Sequence, residues 1–140
     1  METDRAGEVL YGLRTDESSL KKIACDIHKS YPSFINFKPL YALVVTWYNM
    51  KPAESKLSKN KNNTFQAVLA TNGLYSFVIF NYGKLNWPDS KETFISGYNL
   101  GEGDTYYAMT NVSSELYTSS NVGIPSKWIF RVDTKGMSIF

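Results

Sequence analysis

Asn72-Gly73 stands between two apolar runs, residues 64–70 and 74–82. Asn-Gly adopts the positive φ angles of a tight turn at little cost, so the two runs are predicted to pair as a β-hairpin. Phe65, Ala67 and Leu69 alternate with Gln66, Val68 and Ala70. Both sets are largely apolar, which places the hairpin towards the middle of a sheet. Residues 40–48 form a longer, near-continuous apolar run. They read as a central strand covered on both faces.

The remaining punctuation fits a mainly β chain with one helix. Leu20, Ile23, Ala24 and Ile27 recur at i, i+3, i+4 and i+7, the spacing of one apolar helix face. Thr15 or Asp16 supplies a side-chain oxygen to cap the helix, and Glu17 suits the positive end of its dipole. Pro32 ends it, because the residue before a proline is pushed out of the helical region. Short strands are expected at residues 8–11, 85–87, 94–99, 105–109 and 127–132, with Gly97, Gly101 and Gly103 between the later ones. Aromatic residues make up 15% of the chain, and strands favour them. At 140 residues the chain is long enough for one domain with its own core. The expected fold class is mainly β (α+β): antiparallel, sandwich-like sheets with one N-terminal amphipathic helix against a face or edge.

The chemistry-bearing residues are few. His28 and Cys25 are the only histidine and cysteine, three residues apart on the predicted helix. They share a face, but nucleophilic catalysis also needs an orienting group and an oxyanion site, so both read as ordinary helix residues. One histidine and one cysteine exclude the usual zinc patterns. Asp89, Glu92, Glu102 and Asp104 lie in turn-rich segments without the alternating ligands of a calcium loop, and read as solvated carboxylates. Paired carboxylates for glycoside cleavage have no support in the spacing. No catalytic residue, cofactor or metal is expected. A net charge of +2 does not announce a nucleic-acid partner, and no apolar run approaches the length of a membrane span.

Some residues suit binding. Residues 50–63 form a polar loop whose Lys56, Lys59 and Lys61 suit an acidic partner, with solvated surface as the plainer reading. Tyr106, Tyr107 and Tyr117 are candidate anchors, since tyrosine offers an apolar body and a polar tip. Together the lysines and tyrosines motivate a glycan-binding module as an alternative function. Sequons at Asn62-Asn63-Thr64 and Asn111-Val112-Ser113 make Asn62 and Asn111 possible N-glycosylation sites in a secreted chain. In an oxidising compartment Cys25 is free for an intermolecular disulfide.

At Asn63-Thr64-Phe65-Gln66-Ala67-Val68-Leu69-Ala70 the sequence resembles the core motif of the nidogen-like extracellular domain. The following Asn72-Gly73, the strand ending Phe80-Asn81-Tyr82, and Trp87 keep the family's order, in its tectorin-like form. Upstream, Val44-Val45-Thr46-Trp47 resembles the family's long strand, and downstream Gly97-Tyr98-Asn99 resembles its Gly-Phe-Asn element. Asn121, Gly123, Pro125, Trp128 and Phe130 belong to a stretch that resembles its closing segment. The match runs from about residue 7 to residue 133, within a single domain spanning residues 1–140. The motifs read as fold signals: Trp47, Phe65, Phe77, Phe80, Trp128 and Phe130 are expected between packed sheets. Gly12 stands where the family often has Arg, and Ser126 where it often has Gly. The family's usual aromatic first strand would lie ahead of Met1, so the resemblance implies that this strand, a signal peptide and neighbouring domains lie outside the chain as given. An unpaired sheet edge would follow.

The resemblance implies a non-catalytic extracellular matrix or cell-surface module, taking part in cell–matrix adhesion or matrix assembly through other matrix or cell-surface proteins. Membrane insertion and nucleic-acid binding are not expected.

Overall fold

The computed structural model describes residues 7–52, 61–86, 96–101, 106–110 and 112–134. In chain order its elements are β1 (Glu8–Arg14), α1 (Glu17–Ser30), a 3-10 turn (Pro32–Phe34), β2 (Tyr41–Met50), β3 (Asn63–Thr71) and β4 (Ser76–Tyr82). There follow β5 (Gly97–Asn99), β6 (Tyr106–Ala108), α2 (Ser113–Thr118) and β7 (Lys127–Arg131). Five strands form one antiparallel sheet in the order β1-β2-β3-β4-β7, while β5 and β6 make a separate two-stranded ribbon.

The expected hairpin is the centre of this sheet. Phe65 pairs with Tyr82 and Thr71 with Ser76. Gly73 supplies the positive φ, at +88°, but Asn72 contributes through its side chain. Its Oδ1 accepts from the amides of Leu74 and Tyr75 at 3.0 and 2.8 Å, closing a loop longer than a two-residue turn.

The helix follows its sequence signals. Asp16 caps it, its carboxylate accepting from the Ser19 amide at 2.9 Å. Ala24 and Ile27 are buried, and Leu20 and Ile23 pack against the same cluster. Pro32 opens the 3-10 turn that leads away. The helix lies on one sheet face, over Ala42, Val68, Ala70, Phe77, Ile79 and Ile129, with Phe37 completing the core. Tyr31 reaches across this face to donate to the Ile129 carbonyl at 2.9 Å.

The opposite face is covered differently. Val78, Trp128 and Phe130 are buried there, beneath Tyr98, Tyr107 and Met109 of the ribbon segment. Phe130 is fully buried, its ring centroid 5.1 Å from Tyr98 and 4.8 Å from Tyr107. Among the described residues, this contact is made with β4 and β7, and nothing comparable lies over β1, β2 and β3 on that face. The long run expected to be covered on both faces is, among the described residues, covered on one. β2 is paired along both edges, yet only Ala42 in it is buried. Trp47 and Phe65, expected between sheets, are half-buried on the open side.

Other expectations shift locally. Leu85 and Asn86 are not in a strand, and Trp87 lies outside the described residues. The strand expected over 94–99 is described only as β5, and that over 105–109 as β6. α2 has no counterpart among the elements expected from the sequence. Its one buried side chain is Leu116, whose carbonyl accepts from the Trp128 indole at 3.0 Å.

Candidate interaction surface

Strand register arranges the open face into rows. Leu13, Leu43 and Leu69 stand side by side, then Tyr11, Val45 and Ala67, then Val9, Trp47 and Phe65. Every one of these positions is apolar or aromatic. Tyr11 is 80% exposed and Leu13 61%, while Trp47 and Phe65 stack at 5.3 Å with 21° between ring planes. Large contiguous apolar patches are uncommon on free-standing domains and usually mark a place of contact. The sheet supplies this patch because period-two alternation puts a complete apolar set on each face, and the described cover is shorter than the sheet.

The other family-motif residues are architectural. On the helix-facing side, Gln66 donates to Thr46 Oγ1 at 2.9 Å and accepts from Asn81 Nδ2 at 3.1 Å. The next position in that row is Lys127, which forms an ion pair with Asp26 of α1. A polar row thus runs from β2 across the sheet to the helix. Buried Asn63 accepts from the Asn86 amide at 2.7 Å, and Thr64 Oγ1 accepts from the Asn49 amide at 3.0 Å. Asn49 has φ +57°, in the irregularity between Trp47 and Met50.

Asn121 acts as a surrogate strand. Its side-chain amide donates to the Ile129 carbonyl at 2.7 Å and accepts from the Ile129 amide at 3.0 Å. Ser120 Oγ donates to the Lys127 carbonyl at 2.5 Å. Together they occupy the outer edge of β7. Gly123 lies in the following loop with φ +76°, and Pro125 is exposed. Ser126 carries φ +68°, a left-handed conformation that glycine adopts without strain. A glycine at this place would relieve that strain.

The other candidates are dispersed. Lys61 is exposed, whereas Lys56 and Lys59 lie outside the described residues. Tyr117 is half-buried on α2, Tyr106 is exposed, and Tyr107 is occupied in stacking on Tyr98 at 5.7 Å. Asn62 is half-buried, with Nδ2 donating to Asn49 Oδ1 at 2.8 Å; Asn111 lies outside the described residues. Cys25 is exposed, and His28 donates from Nε2 to the Phe37 carbonyl at 2.7 Å. Asp89, Glu92, Glu102 and Asp104 lie outside the described residues.

The perturbed titrating groups have structural causes. Burial raises the Tyr31 and Tyr82 hydroxyls above the usual tyrosine range. Burial also pushes the Asp133 carboxyl up, but bonds from Arg131 and the Ser76 amide outweigh it and hold the group below its ordinary value. Arg131, in turn, lies 5.1 Å from the Phe34 and Tyr75 rings.

The described residues therefore define a mainly β domain with one sheet face closed by a helix and the other half open. It belongs to the nidogen-like domain family, whose model matches residues 1–134. Mouse alpha-tectorin is 27% identical over 145 residues, covering 92% of this chain. Dendrite extension defective protein 1 of Caenorhabditis elegans is 28% identical over 131 residues, covering 90%. Human nidogen-1 is 38% identical over 84 residues, covering 57%. The chain spans only 7%, 11% and 7% of these relatives' lengths, respectively. No solved structure matches it significantly. The family placement fits an extracellular matrix module. Among the described residues, no helix is long and apolar enough to cross a membrane.

Proposed function

We propose that this chain is a non-catalytic interaction module of an extracellular matrix or cell-surface protein, taking part in cell–matrix adhesion or matrix assembly. Family membership across residues 1–134 is the observation that carries this reading. The open β1-β2-β3 face supports it, because a flat row of aliphatic and aromatic side chains suits another protein surface. Leu43, Trp47, Phe65 and Leu69 are the central contacts. Lys61, with Lys56 and Lys59, and Tyr117 serve as peripheral ones. Asn62 and Asn111 are the proposed N-glycosylation sites.

The experiment is binding of the purified domain to cell-deposited matrix. Saturable binding is expected, with at least a tenfold loss on Leu43→Ser/Leu69→Ser and a melting transition still present. Binding that ignores this variant removes the open face from the proposal. Binding abolished by salt and by Lys61→Glu, but not by the leucine variant, selects glycan recognition instead. Compartment is tested on the natural protein by blotting before and after N-glycan removal. An unshifted intracellular species near 15.9 kDa overturns the extracellular reading.

A further inference from the structure

The sequon Asn62-Asn63-Thr64 straddles the start of β3, and the fold grips each of its residues. Asn49 holds it from β2. Its Oδ1 accepts from Asn62 Nδ2 at 2.8 Å, and its amide donates to Thr64 Oγ1 at 3.0 Å. Asn86 holds it from beyond β4. Its Nδ2 donates to the Asn62 carbonyl at 3.1 Å, and its amide donates to Asn63 Oδ1 at 2.7 Å. Asn49 reaches both of its partners from a left-handed backbone, φ +57°, which asparagine tolerates better than most residues. Met50 lies opposite Asn63, so this grip exists only once β2 and β3 have paired.

The groups held are the ones that N-glycosylation uses. The carboxamide nitrogen of the first residue receives the sugar, and the hydroxyl of the third is part of what defines the acceptor. In the transfer, Nδ2 bonds to C1 of a lipid-pyrophosphate-linked oligosaccharide. The C1–O bond to the pyrophosphate breaks, and one Nδ2 proton is lost as the lipid pyrophosphate leaves. Here Nδ2 is engaged by Asn49, while Oδ1 of the same carboxamide is buried and meets no partner among the described residues. Turning the carboxamide over would put the nitrogen in that buried position, so neither orientation presents it to an enzyme. An attached sugar meets the same obstacle, because the substituent of a trans secondary amide lies on the side of the carbonyl oxygen, here the buried side.

We propose that the closed sheet end and a glycan at Asn62 are alternatives: sugar is transferred only to chains in which β2 and β3 have not yet paired. A chain that folds first keeps Asn62 bare and clasped by Asn49 and Asn86. Occupancy at Asn62 is then set by a race between transfer and folding. The inference deepens the proposed modification of Asn62 and rests on the secreted reading for the encounter with the enzyme in a cell.

The full chain, made in bacteria with a C-terminal tag that carries its own sequon, tests it. The folded protein is incubated with purified oligosaccharyltransferase and a lipid-linked oligosaccharide, and mass spectrometry compares Asn62 with the tag. Asn62 is expected to react at least tenfold more slowly than the tag, because a closed site reacts only through its open population. Ile27→Asp puts a carboxylate in the core and unfolds the chain, and Asn62 should then match the tag. Asn49→Gly/Asn86→Ala removes both side-chain clasps while glycine keeps the left-handed φ, and should raise transfer to Asn62 severalfold in a domain that circular dichroism shows to be folded. Asn62 reacting as fast as the tag in the folded wild type overturns the proposal. So does an unfolded chain that stays bare at Asn62, since the block would then lie in the sequon itself. A folded clasp variant as closed as the wild type removes Asn49 and Asn86 from the explanation; if that variant unfolds, the wild type and Ile27→Asp decide. The enzyme is supplied, so none of these outcomes depends on the natural compartment, which the blot of the natural protein tests separately.

Discussion

Phe65→Ala and Phe130→Ala remove the same ring from the same side of one sheet, so the difference between them measures how far the sheet is covered. Phe130 is fully buried: its ring meets Tyr98, Tyr107 and Phe80, the last at 6.3 Å. Fully buried Phe→Ala changes cost about 3–5 kcal/mol, because transfer and cavity contributions add. Phe65 is half-buried and touches Trp47 and Tyr82, so a cost of about 1–2 kcal/mol is expected from lost area and ring stacking. Taking about 2.1 cal/mol/K of unfolding entropy per residue over 140 residues, each kcal/mol moves Tm by roughly 3–4 °C. Phe130→Ala should therefore lower Tm by roughly 10–17 °C and Phe65→Ala by roughly 3–7 °C. The assay is thermal unfolding by circular dichroism, repeated by urea titration with tryptophan fluorescence so that coincident transitions establish two-state behaviour. Equal losses for the two variants would refute the reasoning. They would mean that β1, β2 and β3 are covered in solution, and the open face would no longer be available for contact.

Ser126→Gly should raise stability by about 0.5–1 kcal/mol, since relief of the left-handed strain at φ +68° exceeds the added chain entropy; urea unfolding checks it. Gly97→Ala places a methyl 1.9 Å from the Tyr107 carbonyl oxygen, so the β5-β6 ribbon must open; faster amide exchange at Tyr98 and Tyr107 with α1 still protected is the expected signature. Asp133, whose folded pKa lies below the usual carboxylate value of 3.8, stabilises the fold above that pH. The contribution is lost as pH falls through the folded value, so Asp133→Asn should flatten the acid limb of stability against pH, as measured by urea midpoints.

The strand pattern and the helix were legible because each is encoded locally. Asn72-Gly73 marks the hairpin by backbone preference, and Asp16 and Pro32 bracket the helix by capping and steric exclusion. The short α2 was not legible for the complementary reason. A six-residue helix gives too little periodicity to detect, and its anchorage comes from the distant Trp128. Asn121 is a similar case: its motif was recognisable, but its work as a substitute strand depends on Ile129 lying beside it.

The two sides of β2 and β3 show what alternation leaves open. Both sides read as apolar, and an apolar set records only that a surface is suited to burial. Whether it is buried within the domain depends on what another element reaches, and the ribbon carrying Tyr98 and Tyr107 reaches Phe130. Trp47 and Phe65 therefore carry the same sequence signature as the core aromatics without sharing their cover. In an isolated domain such a surface has solubility costs and no compensating packing. So regular an apolar grid suits a second surface that completes it, which is the physical content of the proposed interaction module.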